Sequence, residues 1–143
     1  MQQLMGDKQY EHVLALTKQL KLRIGSDTAV GFLYMGNAME GLGFWEGAQE
    51  CFRNAFEMNP HLPGAYYNYA LCLFKHNEVE TALDNLNLAI ELRPTYHWAW
   101  AAKARLLLKM NRVPEARDCF THAVELDPYN LELRKEKDNV AGN

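Results

Sequence analysis

Cys119 and His122 stand three residues apart, a spacing that places two side chains on one face of a helix. A thiol beside an imidazole is a nucleophile in waiting, because the ring takes the thiol proton and leaves a thiolate. A plainer reading competes with it. Cys119 precedes Phe120 on the inward side of a helix, and Cys51 holds the same place in an internal repeat. Free cysteine behaves mainly as a small buried hydrophobe, so packing is the expected role of both. The remaining histidines, His12, His61, His76 and His97, form no HExxH and no other metal-ligand spacing. No GxxxxGK[ST], strand-following GxGxxG or GxSxG occurs, and Gly41-Leu42-Gly43 reads as a turn between helices. Glu46, Glu78, Glu80 and Glu115 fall near helix starts, where negative charge complements the helix dipole. The expectation is a non-enzyme with no catalytic residue, no metal and no cofactor.

The elements that carry these residues belong to an ordinary globular chain. Of 143 residues, 23% are charged and 48% hydrophobic, which is enough apolar material for one domain with a substantial core. A net charge of -3 gives no general attraction to nucleic acid or to anionic membranes. No apolar run approaches the roughly 20 residues that span a bilayer. Met1-Gln2-Gln3-Leu4-Met5-Gly6-Asp7 lacks the charged and apolar regions of a secretory leader. Cys51, Cys72 and Cys119 are odd in number and form no CxxC pair, so a reducing, cytoplasmic setting is the default expectation.

A shift of 34 residues aligns the chain with itself twice. Gly36, Ala70 and Ala104 coincide, as do Ala48, Ala82 and Ala116, and Ala55, Ala89 and Ala123. Phe32, Tyr66 and Trp100 form a large apolar series; so do Met39, Leu73 and Leu107, and Phe52, Leu86 and Phe120. Pro60, Pro94 and Pro128 close the units. Within a unit, Phe32, Met35, Gly36 and Met39 make one helical stripe, and Ala48, Phe52, Ala55 and Phe56 make another. Gly43, Asn77 and Asn111 lie between them, the residue types that most readily take the left-handed conformation ending a helix. Each unit is therefore expected to be two antiparallel helices, with Gly and Ala allowing their close approach. One pair cannot bury its apolar face alone, so the pairs must stack.

This pattern resembles the tetratricopeptide repeat (TPR) family. The resemblance implies an all-α fold, a right-handed α-solenoid of antiparallel helix pairs. It divides one domain spanning 1–143 into an N-terminal helix at 7–24, repeats at 29–62, 63–96 and 97–130, and a C-terminal capping helix at 131–140. Lys103 departs from the pattern, standing where Met35 and Tyr69 are apolar; its stem is expected to snorkel at the core edge. The ends fit either a piece of a longer array, the preferred reading, or natural caps.

In TPR proteins the first helices line the concave side. Opposite their core stripe, the 100° step puts Val30, Tyr34, Asn37 and Gly41 in the first unit. Gly64, Asn68, Leu71 and Lys75 follow in the second, and Trp98, Ala102, Arg105 and Lys109 in the third. Leu33, Tyr67 and Phe74 flank this face. Tyr34, Leu71 and Trp98 are apolar area without core duty, the usual mark of a binding surface. Asn37 and Asn68 each offer a donor and an acceptor to a peptide backbone. Lys75, Arg105 and Lys109 give the third-repeat end positive charge, and Glu40 lies toward the first.

TPR co-chaperones grip acidic heat-shock-protein tails with a Lys and an Asn from one repeat, an Asn from the next, and a Lys and an Arg from the third. The matching residues here are Leu33 and Asn37, then Asn68, then Trp98 and Ala102. Both asparagines remain and all three cations are gone, which disfavours that ligand. The reading is a protein-interaction module, an adaptor or scaffold that holds an extended or helical peptide. Its groove is Leu33, Tyr34, Asn37, Tyr67, Asn68, Leu71, Lys75, Trp98, Ala102, Arg105 and Lys109. The partner is a protein with apolar anchors and acidic residues, with neither nucleic acid nor membrane involved. The alternatives are a self-assembling scaffold, hence a homo-oligomer, and a small dedicated chaperone.

Overall fold

The computed structural model describes Glu11, His12, Ala15 and residues 29–141. Seven helices lie among the described residues: α1 (Ala29–Gly41), α2 (Trp45–Met58), α3 (Pro63–Lys75), α4 (Val79–Leu92), α5 (His97–Lys109), α6 (Val113–Leu126) and α7 (Leu131–Ala141). The helix expected over 7–24 lies outside the described residues, except at Glu11, His12 and Ala15, which are helical. The fold is all-α and built from paired antiparallel helices. The chain forms two compact units, one up to Asn68 and one from Tyr69 onward. Helices α1 and α2 pair in the first unit; α4, α5, α6 and α7 pack in succession in the second.

Three turns reverse the chain within the pairs, and all three are built alike. Gly43, Asn77 and Asn111 have φ of 86°, 64° and 61°, the left-handed conformation. The N–H of each bonds three residues back, to Glu40, Phe74 and Leu108. The next residue, Phe44, Glu78 or Arg112, bonds five back, to Met39, Leu73 or Leu107, at 2.8 to 2.9 Å. This double closure satisfies carbonyls that the ending helix leaves without partners. It lets the second helix start after only three residues.

Proline ends the second helices through the residue before it. Asn59, Arg93 and Asp127 precede Pro60, Pro94 and Pro128, and their φ values of -146°, -143° and -137° are extended. The proline ring clashes with an α-helical predecessor, so the helix cannot pass. Aromatic groups of the following helix then secure the proline carbonyls. Tyr66 Oη donates to Pro60 O at 3.0 Å and Trp100 Nε1 to Pro94 O at 2.8 Å, both across six residues. Pro63 opens α3 and Pro114 stands in the first turn of α6, where a missing N–H costs no helical bond.

The small residues sit where close approach requires them. Ala48, Ala82, Ala116, Ala55, Ala89 and Ala123 are completely buried, among Phe52, Leu86 and Phe120. A Cβ added to Gly36 would lie 2.7 Å from Phe52 Cε1. Cys51, Asn85 and Cys119 occupy one repeat position and are all buried; Asn85 satisfies its amide by donating to Thr81 O at 2.8 Å. In α7, Leu133 packs with Ala101 and Ala123, and Val140 with Leu107, Cys119 and Phe120. Arg117 Nη2 donates to the Val140 carbonyl at 3.3 Å, holding the far end of α7. Lys103 keeps its stem half-buried and lays Nζ 5.7 Å from the centre of the Trp100 ring, which accommodates a cation at the core edge.

Candidate functional site

In the first unit the face of α1 opposite its core stripe carries Val30, Tyr34, Asn37 and Gly41, all exposed. Tyr34 is 69% exposed, far beyond what a packed aromatic retains. Leu33 corrects the sequence expectation: it is 8% exposed and belongs to the core. The cover comes from the start of α3, at Gly64. The first turn of α3 lies over Leu33 there, and a Cβ added to Gly64 would sit in ordinary contact with it, 3.7 Å from Leu33 Cδ2. Tyr67 is half-buried and takes part in contacts of the fold. Asn68 is also half-buried and donates through Nδ2 to Gly64 O at 2.9 Å. One of its N–H bonds is therefore spent on its own helix, leaving a second N–H and the carbonyl oxygen for a ligand.

In the second unit Leu71 and Lys75 are exposed on α3, and Trp98, Arg105 and Lys109 on α5. Trp98 is 54% exposed. Ala102 is the second correction: at 6% it is buried, part of the run Ala99, Ala101, Ala102 and Ala104. Helix α5 is flanked by α4 and α6, and its face toward solvent is reached only by long side chains.

The positive end expected from Lys75, Arg105 and Lys109 is less available than their spacing implies. Arg105 donates through Nε and Nη2 to the two carboxylate oxygens of Glu136, each at 2.7 Å. Lys109 Nζ sits 5.0 Å from the centre of the half-buried Phe74 ring, a cation–π contact that leaves its charge in place. Glu136 is not among the residues that the sequence placed on this face. The signal for it was in the 34-residue register, which puts Glu136 where α5 has Ala102 and α3 has Asn68.

The Cys119–His122 pair resolves toward packing. Cys119 is buried, and that burial pushes its thiol above the ordinary cysteine range, which opposes a thiolate. His122 instead lies against Trp100, ring centres 4.2 Å apart. Among the described residues no group of three His, Cys, Asp or Glu side chains could hold a metal ion, and no helix is long and apolar enough to cross a membrane.

Solved TPR domains have this fold. The first TPR of Spaghetti (RPAP3), bound to the HSP90 peptide SRMEEVD, matches with a TM-score of 0.77 and 23% identity over 82% of this chain and 93% of that one. The second TPR domain of human RPAP3, in complex with the HSP70 peptide SGPTIEEVD, gives 0.72 and 23% over 79% and 94%. The Arabidopsis OM64 TPR domain gives 0.76 and 19% over 82% and 97%. No curated protein matches the sequence. Residues 43–123, more than half of the chain, match the family model for anaphase-promoting complex, cyclosome, subunit 3 (ANAPC3). The chain belongs to the ANAPC3 family, and its repeats are tetratricopeptide repeats.

Proposed function

We propose that this chain is a protein-interaction module that holds a peptide segment of a partner protein on the exposed faces of its first helices. One observation carries the reading: Tyr34 and Trp98, at 69% and 54% exposure, present aromatic surface that the core does not use. Large, solvated aromatics are poor surface residues for a chain that binds nothing and good anchors for one that does. Asn37 and Asn68 supply amides for a peptide backbone, and Leu71 adds apolar area. Helical-repeat proteins commonly use first-helix surfaces in this way.

The ligand differs from the EEVD-type peptides in the RPAP3 structures. At the positions where an acidic tail would need cations, this chain has Leu33, Trp98 and Ala102, and Leu33 and Ala102 are buried. The proposed partner segment is anchored by apolar side chains, and SRMEEVD serves as a weakly binding control. The proposed organisation remains three repeats at 29–62, 63–96 and 97–130 with a capping helix at 131–140.

The test is capture of partners on the wild-type chain and on a Tyr34→Ala/Trp98→Ala variant, followed by titration with the captured segment. Binding is expected at about micromolar strength, near -8 kcal/mol, and Trp98→Ala should weaken it by about 2 kcal/mol. Equal affinity of both proteins for every captured segment would refute the reading.

A further inference from the structure

The 34-residue register runs past the third repeat. Helix α7 begins at Leu131 as α5 begins at His97 and α3 at Pro63, so α7 contributes a fourth set of first-helix positions. In that set Glu136 stands on the proposed binding face, at the place of Asn68 and Ala102. Its carboxylate faces Arg105 fork to fork, with both bonds at 2.7 Å. This is the geometry in which a guanidinium would otherwise take a partner's carboxylate. The side chains keep 44% and 32% of their exposure, so the pair lies at the surface that a bound segment would cover.

We infer that Glu136 determines specificity at this end of the face. It occupies Arg105 from within the chain, and a partner's Asp or Glu brought there meets a carboxylate already in place. Such a partner must displace Glu136 or accept like-charge repulsion, whereas an uncharged side chain does neither. The face therefore selects segments that are uncharged opposite Arg105, in contrast to the acidic preference that Lys75, Arg105 and Lys109 suggest by themselves. This inference rests on the first-helix faces being the peptide site.

The experiment pans a random heptapeptide phage library on the full chain as wild type, Glu136→Gln and Glu136→Asp. Circular dichroism checks that each variant is folded. Peptides selected by wild type and by Glu136→Asp should show no enrichment in Asp or Glu, while those selected by Glu136→Gln should be enriched. An acidic peptide from that pool should bind Glu136→Gln about tenfold more tightly than wild type, and Arg105→Gln added to Glu136→Gln should abolish the gain. Equal acidic content in the wild-type and Glu136→Gln pools overturns the inference, as does a gain that survives Arg105→Gln. Trp98→Ala on both backgrounds separates the two claims. If it weakens binding while Glu136→Gln changes nothing, the face stands without this role for Glu136. If Glu136→Gln shifts the pool while Trp98→Ala is silent, the aromatic anchor fails and the role of Glu136 stands.

Discussion

The Phe52 ring lies against the α carbon of Gly36 so closely that a methyl group added to the glycine would sit 2.7 Å from Cε1 and 2.9 Å from Cζ. Phe52 is completely buried, so its ring must shift within a close-packed interior to admit the methyl group. Gly36→Ala should therefore cost about 1–3 kcal/mol through overpacking, although alanine is the better helix former. Urea denaturation followed by circular dichroism measures this; an unchanged or higher midpoint would show that α1 and α2 can separate at no cost.

Asn77 holds a left-handed backbone at φ 64°. A residue with a Cβ and no local polar contact is strained there by about 1–2 kcal/mol. Asn77→Ala should lower stability by roughly that amount, and Asn77→Gly should stay within about 0.5 kcal/mol of wild type as reduced strain offsets added freedom in the unfolded chain. Comparing the two midpoints isolates the backbone effect from loss of the side chain.

Tyr66→Phe removes the hydroxyl that donates to Pro60 O but leaves the ring stacked on Phe56, with centroids 4.5 Å apart. The expected loss is about 0.5–1.5 kcal/mol. Trp100→Phe should cost more, because it gives up the bond to Pro94 O together with buried ring area. Thermal unfolding that ranks the variants in the opposite order would contradict this account.

Burial raises the Cys119 thiol above its ordinary range, so the folded chain holds that proton more tightly than the unfolded one. Its contribution to stability is complete below the unfolded thiol value of about 8.5 and fades as pH climbs through the folded value. Denaturant midpoints between pH 7 and 10 should fall more steeply for wild type than for Cys119→Ala. Iodoacetamide should modify native Cys119 slowly at pH 8 and rapidly once urea unfolds the chain.

The repeat was legible in the sequence because it records steric demands that recur every 34 residues. Only a small residue fits at Ala48, Ala82 or Ala116, and only a left-handed turn fits at Gly43, Asn77 or Asn111. The proposed binding face was legible only in part. Helical angle places Leu33 and Ala102 near the outer face, but whether a side chain there stays solvated depends on what the next helix brings. For Leu33 that is the first turn of α3 at Gly64, close enough that a Cβ there would touch Leu33 Cδ2. Arg105 and Glu136 are 31 residues apart, and their meeting follows only once the register is carried into α7. Asn68 donates to its own helix, a local choice that no spacing pattern encodes.

The bonds from Tyr66 to Pro60 and from Trp100 to Pro94 each close a loop of only six residues. Little chain entropy is lost in forming such short loops, and the helix pairs beside them also join segments near in sequence. A polypeptide stitched together at such short range reaches its native state quickly, on the microsecond-to-millisecond scale of low-contact-order helical proteins. It can begin from more than one pair and spread to the neighbours. Mutations at these fastenings should therefore change how cooperatively neighbouring pairs melt more than how fast any one pair forms.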